Sequence, residues 1–412
     1  MKVLWFSVTP ARYEKNSQEH NGGGWISALE RCITMHNEVE LGIAFLGSSF
    51  KKEERNKVTY YSLFINRNFI EKIIDRCTYK YIDELIIKEA LKVINDFKPD
   101  LIHIWGTEWC YGLLKNYTKI PIVIHMQGCW PVYHNAMLPP GVSFVSEMLR
   151  RWYTPKGILG YWLNNRLSKE RAIREEKILR INENYMGRTH WDKAIVKLYS
   201  PNSKYYLCNE CLRDEFIENK KFLSSNNVIK KIVTVGGGHF LKGYDVIFKT
   251  ASIIKKESNI NFEWILLGPS SKDLKQIEYI TKIKYNDINI IPLGRCEEDR
   301  VINELLSSNI YIHASYADNS PNAICEAQYL GLPVISTNVG GIPSLFSKDY
   351  PMEFLVPTND PYYLASKIIM CLEDDVLLEK LGKLNYELAR ERHDDYNIYT
   401  SITSIYRTLI KS

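Results

Sequence analysis

Asp318 and Glu326 bracket the start of a helical pattern in the stretch His313-Ala-Ser-Tyr-Ala-Asp-Asn-Ser-Pro-Asn-Ala-Ile-Cys-Glu-Ala-Gln-Tyr-Leu-Gly-Leu-Pro. Ser320 is a good N-cap and Pro321 suits the first helical position. The helix should run to Leu330, stop at Gly331, and give way to a strand opened by Pro333. Asp318 and Asn319 then lie in the loop at a helix amino terminus. Such a terminus offers unpaired N–H groups and the positive end of a dipole, both suited to a phosphate. Carboxylates accept hydrogen bonds from sugar and ribose hydroxyls. The combined chemistry is the holding of a phosphorylated sugar. The plainer alternative is a capped helix with a solvated Glu326.

Other stretches add groups of the same kind. Val235-Gly-Gly-Gly-His-Phe-Leu-Lys-Gly243 reads as a strand, a glycine loop and Lys242 just before a helix. Glycines let the backbone approach a ligand closely, and a lysine supplies a point charge for phosphate. An ordinary surface lysine is the alternative. Asn21-Gly-Gly-Gly-Trp25 nearly matches a dinucleotide GxGxxG through Gly22, Gly24 and Ser27, but serine replaces the last glycine and a long loop separates it from the first strand. In Pro121-Ile-Val-Ile-His-Met-Gln-Gly128, His125 and Gln127 point the same way if the strand continues. Gln127 can donate or accept a hydrogen bond but cannot act as acid or base. His103 and Trp105 end the neighbouring strand at the same edge. His125 reads either as a ligand contact or as a satisfied core histidine. In Gly187-Arg-Thr-His-Trp-Asp192, Arg188 precedes a helix capped by Thr189; it is either a cation for a diphosphate or a partner of Asp192.

The elements that must position these groups alternate along the chain. Apolar strand patterns fall at 3–8, 41–46, 58–64, 101–105 and 122–126, with a long helical stretch at 69–97. Residues 145–180 interrupt the rhythm with nine basic and four acidic side chains and with Trp152, Tyr153, Tyr161 and Trp162. A polar, poorly periodic segment at 208–230 reads as a linker. A second series follows, with strands at 231–235, 262–267, 288–291, 310–313 and 333–336, and an apolar-striped helix at about 396–410. Strand–helix alternation indicates doubly wound parallel sheets, which bind ligands beyond the carboxyl ends of their strands. The expected domains are residues 1–207, the linker 208–230, residues 231–392, and a terminal helix 393–412 returning to the first lobe.

Composition excludes several classes. The 412 residues suit two domains, and 45% hydrophobic with 25% charged residues argues against disorder. A net charge of +5 carries no argument for nucleic acid. Nine scattered cysteines do not suit a disulfide-stapled fold. Cys208 and Cys211 have a CxxC spacing, but no second pair follows at a zinc-ligand distance, so buried free thiols are the favoured reading. The amino terminus reads as no signal peptide and no run is long enough to span a membrane, so a cytoplasmic protein is expected. No HExxH, metal-placed Asp-x-Asp or triad signature is present, and no metal is expected.

The Asp318 to Gly341 region resembles the donor-site motif of retaining glycosyltransferases of family four. That motif is an acid, seven residues, then Glu and a small residue, followed by Gly-x-Pro-Val-Ile and Gly-Gly. Here these are Asp318, Glu326-Ala327, Gly331-Leu332-Pro333-Val334-Ile335 and Gly340-Gly341. The resemblance implies an α/β chain of GT-B fold, two Rossmann-like doubly wound lobes facing a central cleft. It implies that Glu326 holds the ribose, Asp318 meets the donor sugar, and backbone N–H groups around Asn319, Ser320 and Asn322 face the diphosphate. The family usually has Glu at the first position, so this shorter side chain would seat the sugar differently. Lys242-Gly243 resembles the family's diphosphate clamp, but Gly237 stands where Arg is usual. Arg188, His239 or Arg295 would then supply the missing cation. Gly23 and Gly24 would approach the donor from the amino lobe. His125, Gln127 and Trp105 would meet acceptor or sugar; the family's His has its counterpart here in Gln127.

The resemblance implies a metal-independent hexosyl transfer from a nucleoside diphosphate sugar, with retention, to an acceptor hydroxyl. The leaving phosphate would serve as base, and Lys242, Asp318 and Arg188 would carry the catalysis. No cofactor is implied beyond the nucleotide-sugar co-substrate. The acceptor would be a saccharide or a lipid-linked one, in polysaccharide or glycoconjugate synthesis. A nucleotide-sugar 2-epimerase would turn over donor without acceptor, and a non-catalytic partner subunit would do neither. The basic, aromatic segment 145–180 suits peripheral contact at the inner face of a membrane, or else a helical insertion packed on the amino lobe.

Overall fold

A computed structural model describes residues 1–14, 24–76, 78–150, 155–217 and 228–411. It divides into two units. The first holds residues 1–135, 142–211 and 394–412; the second holds 136–141 and 212–393.

The first unit is built on β1 (Lys2–Phe6), β2 (Glu40–Leu46), β3 (Lys51–Arg55), β4 (Val58–Leu63), β5 (Leu101–Trp105), β6 (Ile122–His125), β7 (Asn184–Gly187) and β8 (Lys204–Leu207). Their order is β3-β4-β2-β1-β5-β6-β7-β8. Every pairing is parallel except β3 with β4. Side chains alternate across a strand, so β1 feeds two cores: Val3 and Trp5 on one face, Leu4 and Phe6 on the other. The helix Asp395–Lys411 lays Ile398, Ile402, Ile405 and Leu409 on the Trp5 face. Burying each such side chain contributes roughly 1.5–3 kcal/mol. Tyr406 ties this helix down, its hydroxyl accepting from Trp5 Nε1 at 3.1 Å and lying 2.6 Å from His103 Nδ1.

The second unit has β9 (Lys230–Val235), β10 (Phe262–Leu267), β11 (Ile290–Gly294), β12 (Ile310–His313), β13 (Val334–Thr337) and β14 (Leu355–Val356), all parallel, in the order β11-β10-β9-β12-β13-β14. Chain direction across the sheet reverses between β9 and β12. That switch point is where an open α/β sheet leaves a crevice beyond its strand ends.

Some sequence expectations need correction. The helical stretch 69–97 is two helices, Phe69–Asp75 and Lys80–Phe97. The edge strand β3, KKEER, has no apolar alternation and was not legible as a strand. Not all of 208–230 is linker: residues through Cys211 belong to the first unit, and Lys230 already begins β9. Residues 145–180 lie mainly on the helices Phe144–Leu149 and Pro155–Ile181, and Trp152 and Tyr153 fall outside the described residues.

Candidate functional site

The crevice of the second sheet is built from two loops, one after β9 and one after β12. Gly243 has φ +67°, and a Cβ there would lie 1.9 Å from the carbonyl oxygen of Ala314. Only glycine permits that approach, which seats the Lys242 turn against the loop after β12. The backbone bond from Tyr316 N to Leu241 O, 2.8 Å, completes the junction. Gly340 does the same from the other side: its φ is +52°, and a Cβ would lie 1.9 Å from the Asp318 carbonyl oxygen. That oxygen accepts from Gly341 N at 3.1 Å. The Gly-Gly of the motif therefore fixes the backbone of its first acid.

Within this frame Asp318 Oδ2 meets Lys242 Nζ at 2.6 Å and His313 Nε2 at 3.1 Å, while Oδ1 accepts from Asn319 N at 3.1 Å. Ser315 Oγ lies 2.8 Å from His313 Nε2. Burial alone would raise the Asp318 carboxyl; the Lys242 charge and the His313 contact outweigh it and hold the group well below the usual carboxylate range. Burial pushes His313 down against the pull of Asp318. The Lys242 and Asp318 side chains keep 26% and 14% of their surface exposed, enough for an anion to compete for the lysine.

The helix at the site is Asn322–Tyr329, one residue shorter at its start than expected, with Pro321 at the cap position. Ser320 is therefore not the cap. Its hydroxyl is buried and has no hydrogen-bond partner. Pro321 has no N–H to donate and the helix lacks a side-chain cap, so Ser320 Oγ stays available at a helix amino terminus. Asn319 is buried and Asn322 half-buried beside it.

Glu326 is buried four residues into that helix, where Arg213 Nε and Nη2 reach its Oε1 at 2.9 and 2.7 Å. Burial raises the Glu326 carboxyl, and Arg213 opposes it. Arg213 sits in the segment read as linker, where no periodicity or spacing marked it. Gly237 is exposed, and the ring of His239 would lie 3.3 Å from a Cβ there, so His239 borders the position where the family has Arg. Arg295 follows β11, three strands from β12, roughly 14 Å away at the usual strand spacing.

The first sheet's edge is arranged differently. His103, Trp105 and His125 stack at centroid distances of 4.6 Å and 4.9 Å about Trp105. Trp105 and His125 are fully buried, which removes them from the surface on which an acceptor contact was expected. Burial, then the neighbouring His103 and Arg188, hold His125 well below its ordinary value, so it is neutral. The Arg188 guanidinium meets Glu210 at 2.6 Å. Asp192 takes the Arg188 backbone N–H at 3.2 Å and the Tyr205 hydroxyl. Gln127 Nε2 donates to Glu210 Oε1 at 2.7 Å. Glu210 thus gathers Gln127 and Arg188 with His125 nearby at 3.5 Å. It too had been assigned to the linker; its one sequence signal is an acid just past the end of β8. Gly24 begins the helix Gly24–Thr34, and Gly23 lies outside the described residues.

Comparison with known proteins gives the fold and a family match for the second unit. Residues 215–388 match the family "Glycosyl transferases group 1". The capsular polysaccharide biosynthesis glycosyltransferase CapM of Staphylococcus aureus is 24% identical over 374 residues, 81% of this chain and 91% of CapM. Three further curated relatives match over shorter stretches, and the chain spans only 46%, 31% and 28% of their lengths. Among solved structures, sucrose-phosphate synthase from Thermosynechococcus elongatus superposes with a TM-score of 0.73 at 14% identity, covering 100% of this chain and 99% of that one. Anabaena HepE in complex with UDP and glucose superposes with a TM-score of 0.63 at 13% identity, covering 99% and 100%. Two Rossmann-like parallel sheets, full-length superposition and the family match over the unit that holds Lys242, Asp318 and Glu326 establish that the chain has the GT-B fold, with its second unit matching the group 1 glycosyl transferases.

Proposed function

We propose that this chain is a retaining glycosyltransferase of family four, moving a hexosyl unit from a nucleoside diphosphate sugar to an acceptor hydroxyl. The observation that carries the reading is the partly exposed Lys242–Asp318 pair at the switch point, beside the unpartnered Ser320 hydroxyl at a helix amino terminus. The diphosphate would draw Lys242 toward it, with Ser320 Oγ and the N–H groups near Asn319 and Asn322 completing the cradle. Asp318, released from the lysine, would accept from donor-sugar hydroxyls. Glu326 would hold the ribose through Oε2, since both Arg213 contacts use Oε1. As the glycosidic bond breaks, negative charge grows on the leaving phosphate, and Lys242 stabilises it more than it stabilises the bound donor. The phosphate then takes the acceptor proton on the same face. HepE, whose fold this chain shares, holds UDP and glucose in its structure.

The reading extends to polysaccharide or glycoconjugate synthesis, as CapM is named for, and to catalysis without a metal or added cofactor. A screen of nucleotide sugars for thermal stabilisation identifies the donor, because a ligand that binds only the folded state raises its stability. Product analysis with the donor so found gives the anomeric outcome. No stabilisation by any nucleotide sugar, or transfer with inversion, overturns the reading. Loss of transfer in chelator, restored by magnesium or manganese, overturns the metal-independent part.

We further propose a cytoplasmic location with peripheral membrane contact through 145–180. No helix among the described residues is long and apolar enough to cross a membrane. Val145, Leu159 and Trp162 are exposed there, with Arg166 over the Trp162 ring. Glu175, by contrast, is buried and does not dilute the surface charge. Co-sedimentation with anionic vesicles, released by salt, is the expected result. Indifference to such vesicles at low salt overturns it.

A further inference from the structure

Three ligand-type side chains meet in the first unit, none of them part of the Lys242 site. One ligand atom each of Cys32, Cys211 and Asp395 lies within 4.8 Å of the other two. No spacing in the sequence joins them, and Cys208, the natural CxxC partner of Cys211, is not among them. Cys32 lies on the helix Gly24–Thr34. Cys211 ends the first unit's middle stretch, 142–211, and Asp395 is the second residue of its last stretch, 394–412. Both cysteines are buried. Cys32 Sγ is 3.2 Å from the Asp395 carbonyl oxygen. Arg31 Nη2 occupies Asp395 Oδ2 at 2.6 Å, while Oδ1 is buried with no well-aligned hydrogen bond. The Cys211 thiol interacts with both the Asp395 carboxylate and Cys32, and two sulfurs beside a buried carboxylate oxygen form a donor set that a cation satisfies better than a weak S–H donor does.

We propose that Cys32, Cys211 and Asp395 bind a divalent cation of the zinc class. Paired sulfurs select a borderline-soft metal over magnesium or calcium. On binding, two S–H bonds break, two protons leave to water, and two metal–sulfur bonds form; Asp395 Oδ1 makes the third bond and no electrons move. The two negative charges created on sulfur are offset by the two positive charges of the ion, and Asp395 remains balanced by Arg31. A water takes the fourth tetrahedral position. The ion fastens the helix Gly24–Thr34 to the end of the stretch 142–211 and to the start of the helix Asp395–Lys411, all within the first unit. Its role is to hold these three segments of the first unit together, separate from the Lys242 chemistry.

The test uses the full reduced chain titrated with Co²⁺ as a spectroscopic probe and with Zn²⁺ for stability and thiol protection. Expected are a thiolate-to-cobalt charge-transfer band saturating at one equivalent, a Zn²⁺-dependent rise in Tm, and protection of Cys32 and Cys211 from alkylation, mapped by peptide mass spectrometry. Cys32→Ser and Cys211→Ser should each remove the band, and Asp395→Asn should weaken binding roughly 10- to 100-fold. If the serine variants do not fold, mapped protection in the wild type decides. The proposal is overturned by unprotected thiols in folded chain saturated with Zn²⁺. It is equally overturned by a band that survives Cys211→Ser, or by a Cys32–Cys211 disulfide in place of bound metal. None of these readouts depends on glycosyl transfer.

Discussion

At the carboxyl end of the first sheet Arg188 meets Glu210; at that of the second Lys242 meets Asp318. The distances are equal, 2.6 Å, but the surroundings are not. The Arg188 and Glu210 side chains are 6% and 2% exposed, against 26% and 14% for the second pair. A guanidinium beside a carboxylate with Gln127 on its other oxygen is a closed structural group. An ammonium on a flexible stem, partly in water, can change partners when an anion arrives. The same two-charge motif thus serves to fix one sheet edge and to receive a ligand at the other.

Removing Arg188 is the sharpest way to break this contrast. Arg188→Ala leaves Glu210 buried without its cation and should destabilise the chain by roughly 3–5 kcal/mol, read by denaturant unfolding. Unchanged stability with a large loss of turnover would instead make Arg188 a second donor cation, and the two edges alike.

Lys242→Ala should lower kcat by about 100- to 1000-fold with a smaller change in KM, because its charge matters most as the leaving phosphate forms. A raised KM with unchanged kcat would show uniform binding and end the catalytic role. Glu326→Ala should weaken nucleotide binding by about 10- to 100-fold in calorimetry, the worth of a lost charge-assisted hydrogen bond. Equal affinity would remove Glu326 from the donor site.

The two units also differ in the sign of their response to pH, a change spread gradually over several pH units. Asp318 is held low, so its contribution is present above the unfolded carboxylate value and is lost as pH falls through the folded one. Glu175, in the first unit, is pushed up to about 8, by burial first and then by Glu108. A carboxyl raised in the folded state stabilises below its unfolded value and loses that contribution as pH rises through the folded one. Stability should therefore fall between pH ~4.5 and ~8 by at most roughly 1.4 kcal/mol per pH unit from this group. Glu175→Gln should flatten that slope, and Asp318→Asn should leave it in place while reducing the acid loss. A slope unchanged by Glu175→Gln would refute the assignment.

The sequence by itself determined the parallel strands, because a strand buried on both faces needs a continuous apolar run and such runs are local. β5, β10 and β12 fall on the residues their patterns mark. The close approaches at Gly243 and Gly340, where a Cβ would lie 1.9 Å from a backbone oxygen of another loop, became visible only in the structure. The sequence marked Asp318, Glu326 and Lys242, whose spacing lies within one loop and one helix or beside a glycine run. What only the tertiary structure decided was partnership. Arg213 reaching Glu326, Glu210 gathering Arg188 and Gln127, and Cys211 meeting Cys32 and Asp395 all join residues far apart in the chain. A charged side chain's partner depends on which strand ends the fold brings together, and no local pattern encodes that. Burial of His125 and Glu175 followed the same logic: each is polar by type, and only the packing of neighbouring elements enclosed it.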